Sequence, residues 1–280
     1  MTDESTPRGW FEDLEPGDLA AARDAIELGR ADDPQAWPKR AVETGFAADE
    51  DEYYDRLHEA TMAATRTAVR ERESAPDRQL VHAVRAMDDT ARVANELAER
   101  VAEWAGSRFE DADVGLEYAR ELATGAEDID TDPLVSLAGR VRDLDDERRR
   151  LRTHVEKTAP GVAPNLSTLA GPVLAARLIA LAGGLEDLAK MPSGTIQVLG
   201  AEEALFAHLR GHAPSPKHGV IFTHDAIQGT SRENRGSAAR ALAGKLAIAA
   251  RIDHYSGEPN PDIEAELVER IQRIRGRDAA

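Results

Sequence analysis

Residues 77–105 read DRQLVHAVRAMDDTARVANELAERVAEWA, and their apolar or small side chains recur at alternating spacings of four and three residues. This spacing places one continuous apolar seam along a helix, which is the pattern of a coiled coil. The seam consists of Leu80, Val84, Met87, Ala91, Ala94, Ala98, Val101 and Ala105. The stretch therefore predicts a long helix that packs against another helix through this seam.

A second helix of the same kind is predicted over 133–157, after a connector at 106–132 that contains a short helical piece at Val114–Leu122. Arg148 interrupts its seam, which is otherwise apolar. The seam residues are Leu134, Leu137, Val141, Leu144, Leu151 and Val155. The pair predicts an antiparallel coiled-coil hairpin, although two ordinary amphipathic helices of one bundle would give the same pattern.

The segments on either side of the hairpin are also predicted to be helical. Residues 1–75 are acidic and contain one helical pattern capped by Asp18 and another that begins near Asp49. Pro34 and Pro38 break the helical pattern between them, and no clear strand is present. After Pro160 ends the hairpin, Gly and Pro residues separate the helical patterns 166–183, 184–190, 200–210, 234–253 and 262–275, and 220–222 predicts a short strand or an apolar turn. We therefore expect a mainly α protein with domains at 1–75, 76–159, 160–257 and 258–280.

Composition excludes several classes of protein. The 280 residues include no cysteine, which excludes disulfides and thiolate metal sites. No apolar run approaches the roughly 20 residues that span a bilayer. The acidic start at Met1–Glu4 is unlike a signal peptide, so we expect a soluble, cytoplasmic protein without a membrane partner.

The net charge of −17 argues against nucleic-acid binding when it is taken alone. Arginine, however, outnumbers lysine by 30 to 5 in this acidic chain, which indicates a halophilic cell, where a Debye length of about 3 Å limits long-range steering. The charge is also uneven, because residues 161–257 carry a net +2 and the rest of the chain −19. This segment is either a more buried domain or the place where a polyanion binds.

Catalytic and metal-binding patterns are absent from the sequence. There is no dinucleotide-binding glycine motif, phosphate-binding loop, zinc-protease motif or nucleophile elbow. His208 and His212 are four residues apart, but Gly211 is expected to end the helix between them and no third ligand is obvious. We therefore predict no enzyme activity, no cofactor and no metal.

Binding features are concentrated in two places. The loop 214–219 is stiffened by two prolines around Lys217 and His218, so a cation for phosphate and an imidazole for base stacking are held with little entropy to lose. The predicted helix 234–253 carries Arg235, Arg240, Lys245 and Arg251. These cations indicate a phosphate-binding face, although a solvated helix face would look similar.

The same region resembles the Nop domain over about a hundred residues. The resemblance rests on separated motifs: Asn165-Leu166, Gly171-Pro172, Ala176-Arg177-Leu178-Ile179, Ala182-Gly183-Gly184-Leu185, Ile196-Gln197-Val198-Leu199-Gly200-Ala201-Glu202, Lys217-His218-Gly219, Ala239-Arg240-Ala241-Leu242-Ala243 and Ala249-Ala250-Arg251-Ile252-Asp253. The preceding hairpin is similar to the coiled-coil domain of the archaeal Nop-domain core proteins of box C/D ribonucleoproteins.

This resemblance implies a non-enzymatic scaffold with an all-helical Nop domain. Its implied partners are a box C/D guide RNA, a kink-turn-binding protein and the fibrillarin methyltransferase, together with a second copy through the coiled coil. Its implied role is to support ribose methylation and rRNA processing. The implied RNA contacts are Gly200, Ala201, Glu202, Lys217, His218, Arg235, Arg240, Lys245 and Arg251. The implied dimerisation contacts are Leu80, Val84, Met87, Val101, Leu137, Val141, Leu144 and Leu151.

Two features depart from the family pattern. Glu203 stands where the family has lysine after Gly-Ala-Glu, and the segment before the coiled coil is shorter than the α/β domain of the family. The N-terminal unit is therefore expected to be a reduced fibrillarin-binding domain. The alternative is a helical, dimeric interaction protein that has lost RNA or fibrillarin binding.

Overall fold

The computed structural model describes residues 9–15, 17–29, 35–125 and 132–276, and every regular element in these ranges is a helix. The prediction of a mainly α fold is therefore confirmed. The chain divides into two compact units, Met1–Ala75 and Pro76–Ala280, and the finer division into four domains stays a prediction. Met1–Glu4, the connector residues 126–131 and the final residues 277–280 lie outside the described ranges.

The first unit contains α1 (Leu19–Leu28), α2 (Trp37–Glu43) and α3 (Glu50–Ser74). The Asp18 and Asp49 carboxylates cap α1 and α3 by accepting backbone N–H bonds at 3.0 and 2.8 Å. Pro38 does not interrupt the helical pattern but lies in the first turn of α2, where no intrahelical N–H is needed, and Pro34 lies outside the described residues. An aromatic cluster forms the core, made of Trp10, Phe11, Trp37, Phe46 and Tyr53.

The second unit begins with a hairpin of α4 (Pro76–Gly106) and α6 (Pro133–Val162), and α5 (Gly115–Gly125) packs against the far ends of both helices. Two core clusters show that α4 and α6 are antiparallel. One cluster joins the C-terminal half of α4 to the start of α6, through Ala98, Val101, Ala105, Leu134, Ala138 and Val141. The other joins the start of α4 to the end of α6, through Leu80, Val84, Val155 and Ala159.

The seam of α6 differs from the predicted one. Its buried positions are Leu134, Ala138, Val141, Asp145, Val155 and Ala159, whereas Leu137, Leu144 and Leu151 are only half-buried. The predicted seam consists of bulky apolar residues, whereas the buried positions at 4-3 spacing after Leu134 are the smaller Ala138 and Val141 and the carboxylate Asp145. Arg148 follows Asp145 by three residues and pairs with it, so the predicted interruption is a charged pair within the seam.

Asp145 is only 1% exposed and is surrounded by three guanidinium groups. Its carboxylate oxygens lie 2.7 Å from Arg148, 2.9 Å from Arg149 and 3.2 Å from Arg120 of α5. Burial raises the pKa of this carboxyl, but the hydrogen bonds and charges of the arginines outweigh burial and lower the pKa below its ordinary value. Asp145 is therefore ionised and ties α5 to the hairpin.

Helix α6 also continues beyond the predicted end near residue 157. Pro160 lies inside its last turn, and the helix ends only at Val162. A proline near the end of a helix removes a single intrahelical hydrogen bond, and the buried side chains of Ala159 and Ala163 hold the segment against the core.

Short helices make up the remainder of the second unit. The predicted helix over 166–183 is two helices bent by 117°, because Gly171 between them has φ 76° and ψ 151°. The segment 220–222 forms part of a 3-10 helix, neither a strand nor a simple turn. The elements are α7 (Pro164–Ala170), α8 (Pro172–Ala182), α9 (Leu185–Lys190), α10 (Ser193–Val198), α11 (Glu202–Leu209), the 3-10 helix Val220–Thr223, α12 (Asp225–Gln228), α13 (Arg235–Tyr255) and α14 (Asp262–Arg275).

One core joins the base of the hairpin to these helices. It includes Leu80 of α4, Leu178 of α8, Leu246 of α13 and Leu267 of α14, all of which are buried. A polar contact also orients α8 relative to α4, since the Arg177 guanidinium donates to the Asp88 carboxylate at 2.5 and 3.0 Å. No single described helix is long and apolar enough to cross a membrane, and α7 and α8 approach that limit only as a bent pair.

A buried carboxylate joins the end of α13 to the start of α7. Asp253 is 6% exposed, and its two oxygens accept from the backbone N–H groups of Asn165 and Leu166, both at 2.9 Å. The Asn165 amide also donates to Asp253 at 2.6 Å and to the Glu258 carbonyl at 2.9 Å, and its oxygen accepts from Asn260 N–H at 2.6 Å. This network fixes the N-terminus of α7 and the turn that leads into α14.

We expect Asp253→Ala to lower the free energy of unfolding by about 2–4 kcal/mol, because buried backbone donors would lose their acceptor. The measurement is urea denaturation followed by circular dichroism. Glu258→Ala is the matched control, since that side chain is exposed and only its carbonyl takes part. Equal losses in the two variants would contradict the role given to the carboxylate.

Candidate nucleic-acid interface

The loop that carries Lys217 and His218 is held against the end of α10. Gly219 N–H donates to the Gln197 carbonyl at 2.9 Å, and Val220 N–H donates to the Leu199 carbonyl at 2.8 Å. The Gln197 side-chain amide donates to the Lys217 carbonyl at 2.7 Å. Three hydrogen bonds therefore fix the end of the loop.

Gly219 is the position where these segments come closest. A Cβ atom at this residue would lie 2.0 Å from the Leu199 carbonyl oxygen, so no other residue fits without moving the backbone. Gly200, on the opposite segment, has φ 81°, which also favours glycine. Gly200, a predicted RNA contact, therefore helps to set the backbone conformation of the turn beside the loop.

His218 is oriented by an aromatic ring that the sequence reasoning missed. Its imidazole stacks on Phe222 with ring centroids 4.4 Å apart and an interplanar angle of 21°. The guanidinium carbon of Arg235 lies 5.5 Å from the centroid of the same ring, and its Nε donates to the Thr230 carbonyl at 3.2 Å. His218, Phe222 and Arg235 therefore form one cluster. The only signal in the sequence was one aromatic residue in an apolar segment.

The protonation state of His218 follows from this packing. Burial is the largest cause that lowers the pKa of the imidazole, and the charges of Arg235 and Lys217 lower it further. A hydrogen bond with its own backbone acts in the opposite direction. The imidazole is consequently neutral near pH 7, which suits stacking on a nucleobase.

Lys217 is exposed beside the first turn of α13. The position that a Cβ of Gly236 would take lies 3.8 Å from Lys217 Cδ, so the aliphatic part of the lysine packs over this glycine. The ammonium group and Arg235 thus stand near a helix N-terminus, which already carries partial positive charge. This cluster of positive charge favours an anion.

Glu202 and Glu203 differ in their surroundings. The Glu202 carboxylate accepts from Gly200 N–H at 2.8 Å, which ties it to the adjoining turn at the start of α11, after Ala201. Glu203 is exposed to solvent. The carboxylate that replaces the lysine of the family is therefore free of the packed loop.

The remaining cations of α13 are not all available. Lys245 forms an ion pair with Glu266 of α14, and Arg251 Nε donates to the Ala189 carbonyl at 3.2 Å, which caps α9. Arg240 is exposed in a groove between α13 and α14. Because Arg235 and Arg251 are 16 residues apart, their Cα atoms lie about 24 Å apart along the helix. The nine predicted contacts therefore do not form one site, because Arg240 lies in the groove while Lys245 and Arg251 have partners within the chain.

Five of the eight predicted dimerisation residues are packed within the chain itself. Leu80, Val84, Met87, Val101 and Val141 are at most 4% exposed in the absence of any second copy. Leu137, Leu144 and Leu151 are half-buried, so only these three of the predicted residues have surface left for a second copy. At the far end of α4, Trp104 is 40% exposed and Phe109, just after the helix, is 44% exposed.

The other histidines of this region have local partners. His224 Nδ1 accepts from Ala226 N–H at 3.0 Å, so Nε2 carries the proton that it donates to the Leu169 carbonyl at 2.8 Å. His208 Nδ1 lies 2.9 Å from the Ala213 carbonyl. Among the described residues, no group of three His, Asp or Glu side chains could hold a metal ion.

The known proteins that are similar to this chain belong to one family. The family model "Nop: snoRNA binding domain, fibrillarin" matches residues 81–275. An uncharacterized NOP5 family protein of Methanocaldococcus jannaschii is 35% identical, over 85% of this chain and 66% of the relative. Nucleolar protein 58 of Schizosaccharomyces pombe is 32% identical, over 70% of this chain and 46% of the relative. The chain thus spans about half to two-thirds of the length of these relatives.

A solved structure shows the same fold. One chain in the crystal structure of a fibrillarin/Nop5p complex aligns with 96% of this chain and 99% of its own length. The TM-score is 0.56 and the sequence identity is 24%.

We expect NMR titration of the His218 Cε1 proton to give a pKa below the unfolded value of about 6.5. Phe222→Ala should raise this pKa more than Arg235→Gln, because burial is the larger cause. As the pH falls below about 6.5, the unfolded chain takes up the proton first, so this residue's contribution to the free energy of unfolding decreases. Raising the potassium chloride concentration should weaken only the part of the pKa shift that arises from the charges of Arg235 and Lys217. A His218 pKa at or above 6.5 would show that the ring is not packed as described.

Proposed function

Because this chain belongs to the Nop family, we propose that it is a non-catalytic RNA-binding scaffold of a box C/D guide ribonucleoprotein. In this role it bridges an RNA–protein complex and the fibrillarin methyltransferase, so that a partner carries out ribose methylation during rRNA processing. The observation that carries the proposal is the cluster of Lys217, His218 and Arg235 beside the N-terminus of α13. We infer that the protein works in the cytoplasm of a salt-rich cell.

The cluster suits an unpaired nucleotide with its phosphate. His218 is pre-oriented by Phe222 and can stack on a base with its outer face, while Lys217 is exposed and can meet a phosphate. Since the three hydrogen bonds to α10 already order the loop, little conformational entropy is lost on binding.

A kink-turn-binding protein would dock next to this RNA. Helix α11 has no buried residue, and Phe206 and Leu209 on it are 58% and 71% exposed. Exposed apolar side chains of this size favour a protein partner. Because α11 directly follows the Gly200 turn, its partner and the RNA at His218 would form one composite surface.

The other partners are assigned to separate parts of the chain. We infer that the first unit recruits fibrillarin and that a second copy binds at the end of the hairpin, where Trp104 and Phe109 are exposed. The alternative function is a helical dimeric interaction protein that has lost RNA or fibrillarin binding. It is favoured by the net charge of −17 and by the internal partners of Lys245 and Arg251.

A gel-shift titration at high potassium chloride separates these functions. The probe is a box C/D RNA, alone or bound to a kink-turn protein, with fibrillarin added afterwards. The scaffold predicts a shift only on the preformed RNA–protein complex, followed by a further shift with fibrillarin. No shift under any condition would favour the interaction protein. Methyl transfer by this chain without fibrillarin would indicate an enzyme.

Variants of His218 in the cluster and of Arg240 on α13 test which forces hold the RNA. In molar salt counterion release contributes little, so affinity should depend on stacking and shape. We expect His218→Ala to weaken binding at least as much as Arg240→Ala, by about 1–3 kcal/mol of stacking free energy. Arg92→Ala on the hairpin is the charge-matched control. A larger effect of Arg240→Ala would show that phosphate contacts still dominate.

A further inference from the structure

Helices α13 and α14 lie antiparallel, with the first turn of α13 beside the last turn of α14. Two contacts establish this arrangement. Lys245 in the middle of α13 pairs with Glu266 near the start of α14. Arg235 and Arg275, at the opposite end, both bond to Thr230, through its carbonyl and its hydroxyl respectively, each at 3.2 Å.

A groove of about 420 Å³ runs between the two helices. From α14 it receives a stripe at i, i+3, i+4 and i+7, which consists of Glu266, Glu269, Arg270 and Arg273. From α13 it receives Arg240 and Lys245, with Ala241 and Gly244 between them. The small residues leave the floor open, so that a ligand can approach the α13 backbone closely.

The groove carries an excess of positive charge in an acidic protein. Its four cations face two carboxylates. Glu266 pairs with Lys245, and Glu269 lies 3.3 Å from Arg273, where both side chains are exposed. Within the described ranges, no ion pair of Arg240 or Arg270 is found, and both are exposed. Three arginines are therefore available to an anion, one of them held only by a weak surface pair.

We propose that Arg270 and Arg273 join the already predicted contact Arg240 in binding the sugar-phosphate backbone of RNA in this groove, so that α14 is part of the RNA-binding surface. This inference rests on the proposed function. The RNA that contacts His218 would continue along the face of α13 that borders the groove. Guanidinium groups form bidentate bonds with phosphate, which depend less on long-range charge than a lysine contact does. The groove exposes only Ile248 as a large apolar side chain, so it offers little to hold an acidic peptide.

The test uses the full-length chain and a box C/D RNA bound to a kink-turn protein, titrated at several potassium chloride concentrations. Arg270→Gln/Arg273→Gln should weaken binding about tenfold at the lowest salt and reduce the slope of log affinity against log salt by about 1 to 2. The matched control is Arg92→Gln/Arg150→Gln, which removes two exposed arginines of the hairpin, each paired with a carboxylate on its own helix as Arg273 is. That control should keep the wild-type affinity and slope.

A second variant changes the groove in the opposite direction. Glu266→Gln frees Lys245 and should increase the affinity and steepen the salt slope by up to about 1. This gain cannot arise from misfolding. Hydroxyl-radical footprinting should show that the double arginine variant loses protection of backbone beyond the nucleotides protected at His218, while those stay protected.

The outcomes distinguish the two proposals. If the wild-type protein binds no RNA–protein complex, both proposals fail. If the wild type binds and the double arginine variant keeps its affinity, slope and footprint, only the inference about the groove is overturned. If that variant loses affinity but keeps the wild-type salt slope and backbone footprint, the groove is a protein-docking surface, which also overturns the inference.

Discussion

The carboxylate of Asp253 is the constraint on which the candidate interface depends. It holds the C-terminal end of α13 against the start of α7, and through Asn165 it also fixes the turn before α14. Because α13 carries the candidate cations and α14 packs along it, one buried acceptor sets the orientation of both helices. The candidate interface at the N-terminal end of α13 therefore depends on packing at the opposite end of the same helix.

Electrostatics in this chain acts over short distances. Arg251 neutralises the end of α9 and the cations around Asp145 satisfy a buried charge, so many arginines serve the fold. The groups left for a ligand are close together: Lys217 and Arg235 at one end of α13, and Arg240 with α14 beside it. A local cluster of this kind can bind a polyanion although the whole molecule is strongly acidic, provided that salt screens the distant carboxylates.

The sequence predicted those features that depend on local pattern. The 4-3 spacing located α4 correctly, because its seam consists of residues that are themselves apolar or small. In α6 the seam passes through Ala138 and Asp145, and only the facing helices decide that Leu137 and Leu144 turn aside. The stiff loop around His218 was likewise predictable from its prolines. Phe222 and the internal partner of Arg251 were not, since both follow from contacts between segments distant in sequence.

The charged centre of the hairpin has one more consequence, which concerns its alignment. Asp145 opposes a shift of α5 along α6, because a displaced carboxylate would lose its contact with Arg120. The charged centre therefore favours one alignment of α5 and α6 at the far end of the hairpin.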